Sequence, residues 1–206
     1  MADRRKPRHA RSNPSHRTGR VAAALRFAVA AHLDQTRKDR RTPYIVHPVA
    51  VMRVLSSELA VTEPDILCAA LLHDILEDTH HTAAQLRSRF GSRVTRWVEE
   101  LTIPAEFHGP AVSDSAKTAL LVRAVGRISW PAVLIKLADR LDNLRDITNA
   151  LWSPTKRRRF RAQTREILSA VDRRTRSDPP PPGLAKPLTR GRHLVRERLR
   201  LSRPET

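Results

Sequence analysis

The sequence predicts an all-α fold: one helical domain with a basic extension at each end. Three features predict it. Only 6 of the 206 residues are glycine, and the chain is rich in Ala, Leu and Arg, all good helix formers. Apolar residues recur at helical spacing through most of the chain, and no apolar–polar alternation runs long enough to specify a strand. The length suits one domain with a proper core rather than two.

Residues 1–19, broken by Pro7 and Pro14, lack apolar periodicity and read as a disordered basic arm. Val21, Leu25, Ala28, Val29 and His32 share one face, so the first helix is expected over residues 20–32. This stretch follows a basic start and mimics a secretory signal, but Arg26 interrupts it. Nothing approaches the roughly 18 apolar residues of a membrane span. A polar, strongly basic loop, Asp34 to Tyr44, leads into His47-Pro48, where proline suits a first helical turn and Val49, Val51, Met52 and Leu55 supply the apolar face. Thr62-Glu63-Pro64 predicts a capped helix start, and the helix runs through the apolar stretch Ile66 to Leu72. Thr82 caps a short helix with Leu86 and Phe90 inward and Gly91 as its stop, and Val94, Trp97, Val98 and Leu101 stripe the next.

Residues 103–113 form a loop, and a helix over about 114–127 carries Leu120, Leu121 and Val125. Trp130-Pro131 opens a helix that is apolar through Ala138 and then turns polar along one side. Pro154 starts the last predicted helix, which runs to about Val171 with Phe160, Ile167 and Leu168 inward. The run Pro179-Pro180-Pro181-Pro182-Gly183 ends the domain and begins an extended or disordered tail, so the expected organisation is an arm over 1–19, a domain over 20–175 and a Pro-rich basic tail over 176–206. Within the tail, Leu194 to Arg200 has the pattern of one or two turns of basic amphipathic helix.

The net charge of +18 suggests nucleic acid until it is located. Residues 1–20 carry +6, residues 153–206 carry +11, and residues 21–152 carry only +1. The ends therefore offer non-specific polyanion contact, and the presumed core is nearly neutral. Cys68 has no partner within the chain, which excludes an intramolecular disulfide and fits a reducing, cytoplasmic compartment.

Leu71-Leu72-His73-Asp74-Ile75-Leu76-Glu77-Asp78 sets four polar groups directly after a buried run. On a helix His73 stacks with Glu77, and Asp74 with Asp78, which suggests a divalent metal beside an acid/base group; charges simply emerging from a helix end are the alternative. His47 and Asp139 sit at two further apolar-to-polar transitions, and Asp139, Asn143 and Asp146 share a face. Two imidazoles and two carboxylates, His47, His73, Asp74 and Asp139, form a mixed N/O donor set suited to Mn²⁺, Zn²⁺ or Fe²⁺, and no thiolate argues for a structural zinc site.

These residues carry a family resemblance. The order Arg37-Lys38, Pro43-Tyr44-Ile45-Val46-His47-Pro48, Leu72-His73-Asp74-Ile75-Leu76-Glu77-Asp78-Thr79, Phe90-Gly91 and Lys136 to Arg145 resembles the HD-domain alarmone hydrolases, comprising the RelA/SpoT hydrolase domain and its small stand-alone relatives. The resemblance spans about residues 20–170. It implies an all-helical HD domain and Mn²⁺-dependent removal of the 3′-pyrophosphate from guanosine tetra- or pentaphosphate. By position, His47, His73, Asp74 and Asp139 would hold the metal, Glu77 and Asp78 would position and deprotonate water, and Arg37, Lys38 and Asn143 would meet the substrate. There are two departures. Arg40-Arg41-Thr42 stands where relatives carry a glycine-containing turn, and Asp142 stands where histidine or tyrosine is common. No synthetase domain follows, so degradation without synthesis is expected. Two other readings are an HD phosphohydrolase acting on another purine nucleotide, such as NADPH or a deoxynucleotide, and an inactive core whose ends bind polyanions.

Overall fold

Every regular element in the computed structural model, which describes residues 14–107, 111–147 and 152–202, is helical, apart from a single isolated β-bridge between Thr36 and Pro43. Helix α1 covers Pro14–Ala31, α2 Val46–Arg53, α3 Pro64–Leu72, α4 Ile75–Asp78 and α5 Ala83–Phe90. Helix α6 covers Ser92–Leu101, α7 Asp114–Val125, α8 Trp130–Asp146, α9 Pro154–Ser177 and α10 Pro182–Leu201. Among the described residues, no helix is long and apolar enough to cross a membrane.

Helix α8 is the axis of the molecule. Ala132 to Ile135, Leu137, Ala138, Leu141 and Leu144 are all buried, so this helix is covered nearly all round by α2, α3, α6, α9 and α10. Against it lies α3, with Cys68 to Leu72 wholly buried. The predicted stripes Leu86 and Phe90, and Val94, Trp97, Val98 and Leu101, point inward as expected. Thr82 caps α5 in a reciprocal capping box with Gln85, and Gly91, at φ 85°, makes the turn into α6.

Several local readings are corrected. The first helix begins at Pro14, so only residues 1–13 of the expected arm lie outside the described residues. Within Thr62-Glu63-Pro64 the cap position of α3 falls on Glu63, with no side-chain cap hydrogen bond, and Pro64 follows as the first helical residue. The helix bearing the His-Asp doublet is not continuous: α3 ends at Leu72, His73 and Asp74 form a turn, and α4 restarts at Ile75. A π-helical turn over Val54–Glu58 extends α2.

The largest correction concerns the C-terminal segment, expected as an extended or disordered tail. Residues 182–201 form α10, whose Leu188, Gly191, Val195 and Leu199 are buried, and it packs against α8. Their spacing of three and four residues is a helical stripe, overshadowed in the sequence by the proline run and by Pro187 inside the helix. A Cβ added at Gly191 would lie 3.4 Å from Leu59 Cδ1 and 3.7 Å from Leu137 Cδ1, in ordinary van der Waals contact, so the helix is seated directly on these side chains.

Many arginines of these last helices serve the fold. Arg198 donates to the carbonyls of Leu144 (3.3 Å) and Arg145 (3.2 Å) at the end of α8, and Arg190 donates to the carbonyl of Glu58. Arg174 donates to Val125 (2.7 Å) at the end of α7 and to Ile128 (2.6 Å) beyond it, and Arg161 to Leu199 (3.1 Å) in the last turn of α10 and to Ser202 beyond it. Each guanidinium satisfies carbonyls that a helix end leaves unpaired. Arg192 and Arg196 both pair with Asp172. Much of the basicity that suggested polyanions is thus spent on tying helices together.

Candidate active site and metal centre

Three elements converge at the middle of α8. The turn after α3 brings His73 and Asp74, the first turn of α2 brings His47, and α8 brings Asp139. Candidate ligand atoms of His47, His73 and Asp139, all buried, lie within 4.8 Å of one another. Asp74 Oδ2 adds a fourth group, 3.1 Å from His73 Nε2 and 3.7 Å from His47 Nε2, and His47 Nε2 stands 3.3 Å from Asp139 Oδ1. The structure brings together all four residues read from the sequence as a donor set.

The outer nitrogens of both imidazoles are spoken for. His73 Nδ1 lies 2.8 Å from the carbonyl of Ala70, and His47 Nδ1 lies 2.7 Å from Asp142 Oδ2. Both partners accept, so in each ring Nδ1 carries a hydrogen whether the ring is neutral or charged, and Nε2 faces the carboxylates. His73 Nε2 is buried, with Asp74 Oδ2 at 3.1 Å facing it but no well-aligned hydrogen bond. A cation at this point suits such an atom, and the donor set fits a divalent ion.

Charge balance supports the same fit. Burial alone would depress both imidazoles. In His47 the hydrogen bonds to Asp139 and Asp142 outweigh it and hold the group up at about 9, and in His73 the charge of Asp74 does so. Burial would likewise raise the two carboxylates, yet His73 and His47 drive Asp74 below its usual range, and Lys136 and His47 do the same for Asp139. The pocket recruits positive charge.

Glu77 and Asp78 flank this group at the cleft. Burial raises the Glu77 carboxyl against the opposing donation of Ile103 N–H to Oε2 at 3.0 Å. Burial and the charge of Asp74 raise Asp78. Two carboxyls shifted upward beside a metal-type donor set have the character of proton acceptors for water.

Several residues here carried no role in the sequence reading. Tyr44 Oη lies 2.6 Å from Asp74 Oδ2 and 2.8 Å from Asp78 Oδ2, linking the donor set to the acid/base pair. Burial, then the charges of Asp74 and Asp78, push this phenol far above its usual range, so it remains a donor. Gln35 donates to the carbonyl of Asp78 at 2.7 Å, and Lys136 Nζ lies 3.5 Å from Asp139 Oδ2. The position of Tyr44, three residues before His47 at a helix start, is the available sequence signal.

The expected substrate residues line the same cleft. Arg37 pairs with Asp146 at 3.0 Å and reaches within 4.0 Å of Asp142. Asn143 lines the wall while its amide donates to Asp139 Oδ1 at 2.6 Å, so it also orients that carboxylate. Lys38 is largely exposed, but its ammonium sits 3.8 Å from the centre of the Trp152 ring. That desolvation, with Lys156 and Arg37 nearby, lowers its pKa to about 8. The cleft opens through Lys38, Arg140, Asn143 and Phe160 onto a larger groove of about 710 Å³ that adds Lys117, Lys156 and Arg159.

The loop that lacks the expected glycine is held otherwise. Arg40 takes φ 55°, and Asp39 accepts from the backbone N–H of Arg41 (3.0 Å) and Thr42 (2.8 Å) and from the Thr42 hydroxyl (2.5 Å). These bonds, the Thr42 hydroxyl first, hold Asp39 down at about 2. Arg37 N–H donates to Thr42 O at 2.8 Å across the closed loop.

Comparison with known proteins agrees with this geometry. The family described as "HD domain" matches residues 24–175. The guanosine-3′,5′-bis(diphosphate) 3′-pyrophosphohydrolase MESH1 of Xenopus tropicalis is 35% identical over 155 residues, covering 73% of this chain and 84% of that protein. Its Homo sapiens counterpart is 40% identical over 134 residues, covering 63% and 72%. The bifunctional (p)ppGpp synthase/hydrolase SpoT of Escherichia coli K12 is 34% identical over 163 residues, which are 78% of this chain and 22% of that one. A solved structure described as "A metazoan ortholog of SpoT hydrolyzes ppGpp and plays a role in starvation responses" superposes with a TM-score of 0.69 at 28% identity, covering 87% of this chain and 95% of that one.

Proposed function

The chain belongs to the HD-domain family of (p)ppGpp hydrolases, and we propose that it removes the 3′-pyrophosphate of guanosine tetra- or pentaphosphate, using a divalent ion, Mn²⁺ by preference. One observation carries the reading: His47 and His73 each commit Nδ1 to an internal acceptor and turn Nε2 toward Asp74 and Asp139. On this reading His47, His73, Asp74 and Asp139 hold the ion. An ion held there would supply charge to neutralise the phosphate and acidify water; the mixed N/O donors suit Mn²⁺, Zn²⁺ or Fe²⁺ alike, and Mn²⁺ is the choice the family resemblance implies.

The remaining chemistry belongs to the chain. Glu77 and Asp78 orient a water and accept its proton as its oxygen attacks the phosphorus bound to the 3′-oxygen. That phosphorus–oxygen bond breaks, the 3′-oxygen takes up a proton, and GDP or GTP leaves with pyrophosphate. Tyr44 keeps Asp74 and Asp78 at a fixed separation through its two contacts. Arg37 and Lys38 meet the guanine and phosphates, and the groove lined by Lys117, Lys156 and Arg159 gives a second pyrophosphate cationic partners. Asn143 faces the ribose side while steadying Asp139. The substrate is a soluble nucleotide, and we place the activity in the cytoplasm.

The test is pyrophosphate release from guanosine tetraphosphate by metal-stripped protein, with and without Mn²⁺, beside Asp74→Ala. Release that needs metal and falls to background in the variant is expected. Absence of release from folded, metal-loaded protein that instead turns over NADPH or a deoxynucleotide would overturn the substrate assignment.

A further inference from the structure

The geometry points to Asp142 as a positioning residue that locks His47 in the tautomer presenting Nε2 to a divalent cation and thereby sets how tightly the cation is held. The inference rests on the metal-binding reading above. A neutral imidazole has two tautomers, and only the one with hydrogen on Nδ1 leaves the Nε2 lone pair for a cation. Asp142 Oδ2, 2.7 Å from His47 Nδ1, selects that tautomer because a carboxylate can only accept.

The two imidazoles are braced unequally. His73 leans on a backbone carbonyl, whereas His47 leans on a full charge. A carboxylate brace makes the ring a stronger donor, so the larger effect on affinity belongs to His47. Asp142 follows Asp139 by three residues on the buried helix α8, so one rigid element supplies both a ligand and the brace of another. The same Oδ2 has Arg37 at 4.0 Å, whose guanidinium is itself anchored on Asp146 at 3.0 Å, one helical turn along. The brace therefore lies between the metal centre and the loop that carries the substrate cations.

The experiment is a calorimetric Mn²⁺ titration of the metal-stripped full chain as wild type, Asp142→Asn, Asp142→Ala and Asp139→Ala, with thermal unfolding of each metal-free protein. Asp142→Ala should weaken binding roughly 10- to 100-fold. Asp142→Asn, which keeps size and an acceptor oxygen, should fall between it and wild type while melting like wild type, a split that a purely structural role would not give. Asp139→Ala losing binding while both Asp142 variants match wild type would overturn the assignment and leave the metal site standing. No binding by the wild type would remove the metal site itself, and the Asp142 assignment with it. Should Asp142→Ala fail to fold, Asp142→Asn decides alone.

Discussion

Replacing Leu188 by alanine separates a docked C-terminal helix from a basic tail. Leu188 is 1% exposed, on a helix that approaches α8 closely enough for an added Cβ at Gly191 to touch Leu137 and Leu59. Truncating a buried leucine removes its transfer free energy and leaves a cavity, a cost of roughly 2–5 kcal/mol. Helix α10 has one face in solvent and can relax, so the lower part of that range, about 2–3 kcal/mol, is expected. For a protein of this size each kcal/mol moves Tm by roughly 2–4 °C, giving a fall of about 4–12 °C. Urea unfolding followed by circular dichroism should show a lower midpoint at unchanged slope. Arg200→Ala, at an exposed position of the same helix, should stay within about 0.5 kcal/mol. If Leu188→Ala is equally silent, α10 is not docked and the burial argument is wrong.

Tyr44→Phe deletes the hydroxyl between Asp74 and Asp78; losing a hydrogen bond to a charged group, worth about 1.5 kcal/mol, should cut activity at neutral pH roughly 10-fold. The Tyr44 bond lowers the Asp78 pKa, so its loss raises that pKa further, and the acid limb of the pH–rate profile moves to higher pH. An unmoved limb would deny Asp78 the role of base. Lys38 is a cation below about 8 and neutral above it, so KM should climb as pH rises through that value; Lys38→Arg, charged throughout, should flatten the climb. Asp39→Ala removes the acceptor that closes the 37–42 loop and so loosens its preorganisation, and steady-state kinetics should show KM up roughly 5-fold with kcat nearly unchanged.

The four candidate ligands were legible because each stands where an apolar run ends in a group that is costly to bury, and that signal is local. His47, His73, Asp74 and Asp139 could be named individually, and the order of motifs around them supplied the family. Tyr44 and Asp142 carried no such signal: each is an ordinary residue until an element 30 to nearly 100 positions away arrives beside it. The departures from the family pattern were visible but uninterpretable, since Asp142 acquires meaning only from His47 Nδ1, and Arg40 only from the Asp39 bonds that support its φ of 55°.

The sequence by itself determined the helical class, most of the inward stripes and the residue types of the site, because periodicity and burial cost act over a few residues. Tertiary structure decided the rest. It turned a proline-led basic stretch into α10, spent the arginines of α9 and α10 on carbonyls at distant helix ends, and chose which nitrogen of each histidine faces the centre. Composition counts charges, but only packing decides what each charge is paired with, and the energy of a charge lies in its partner.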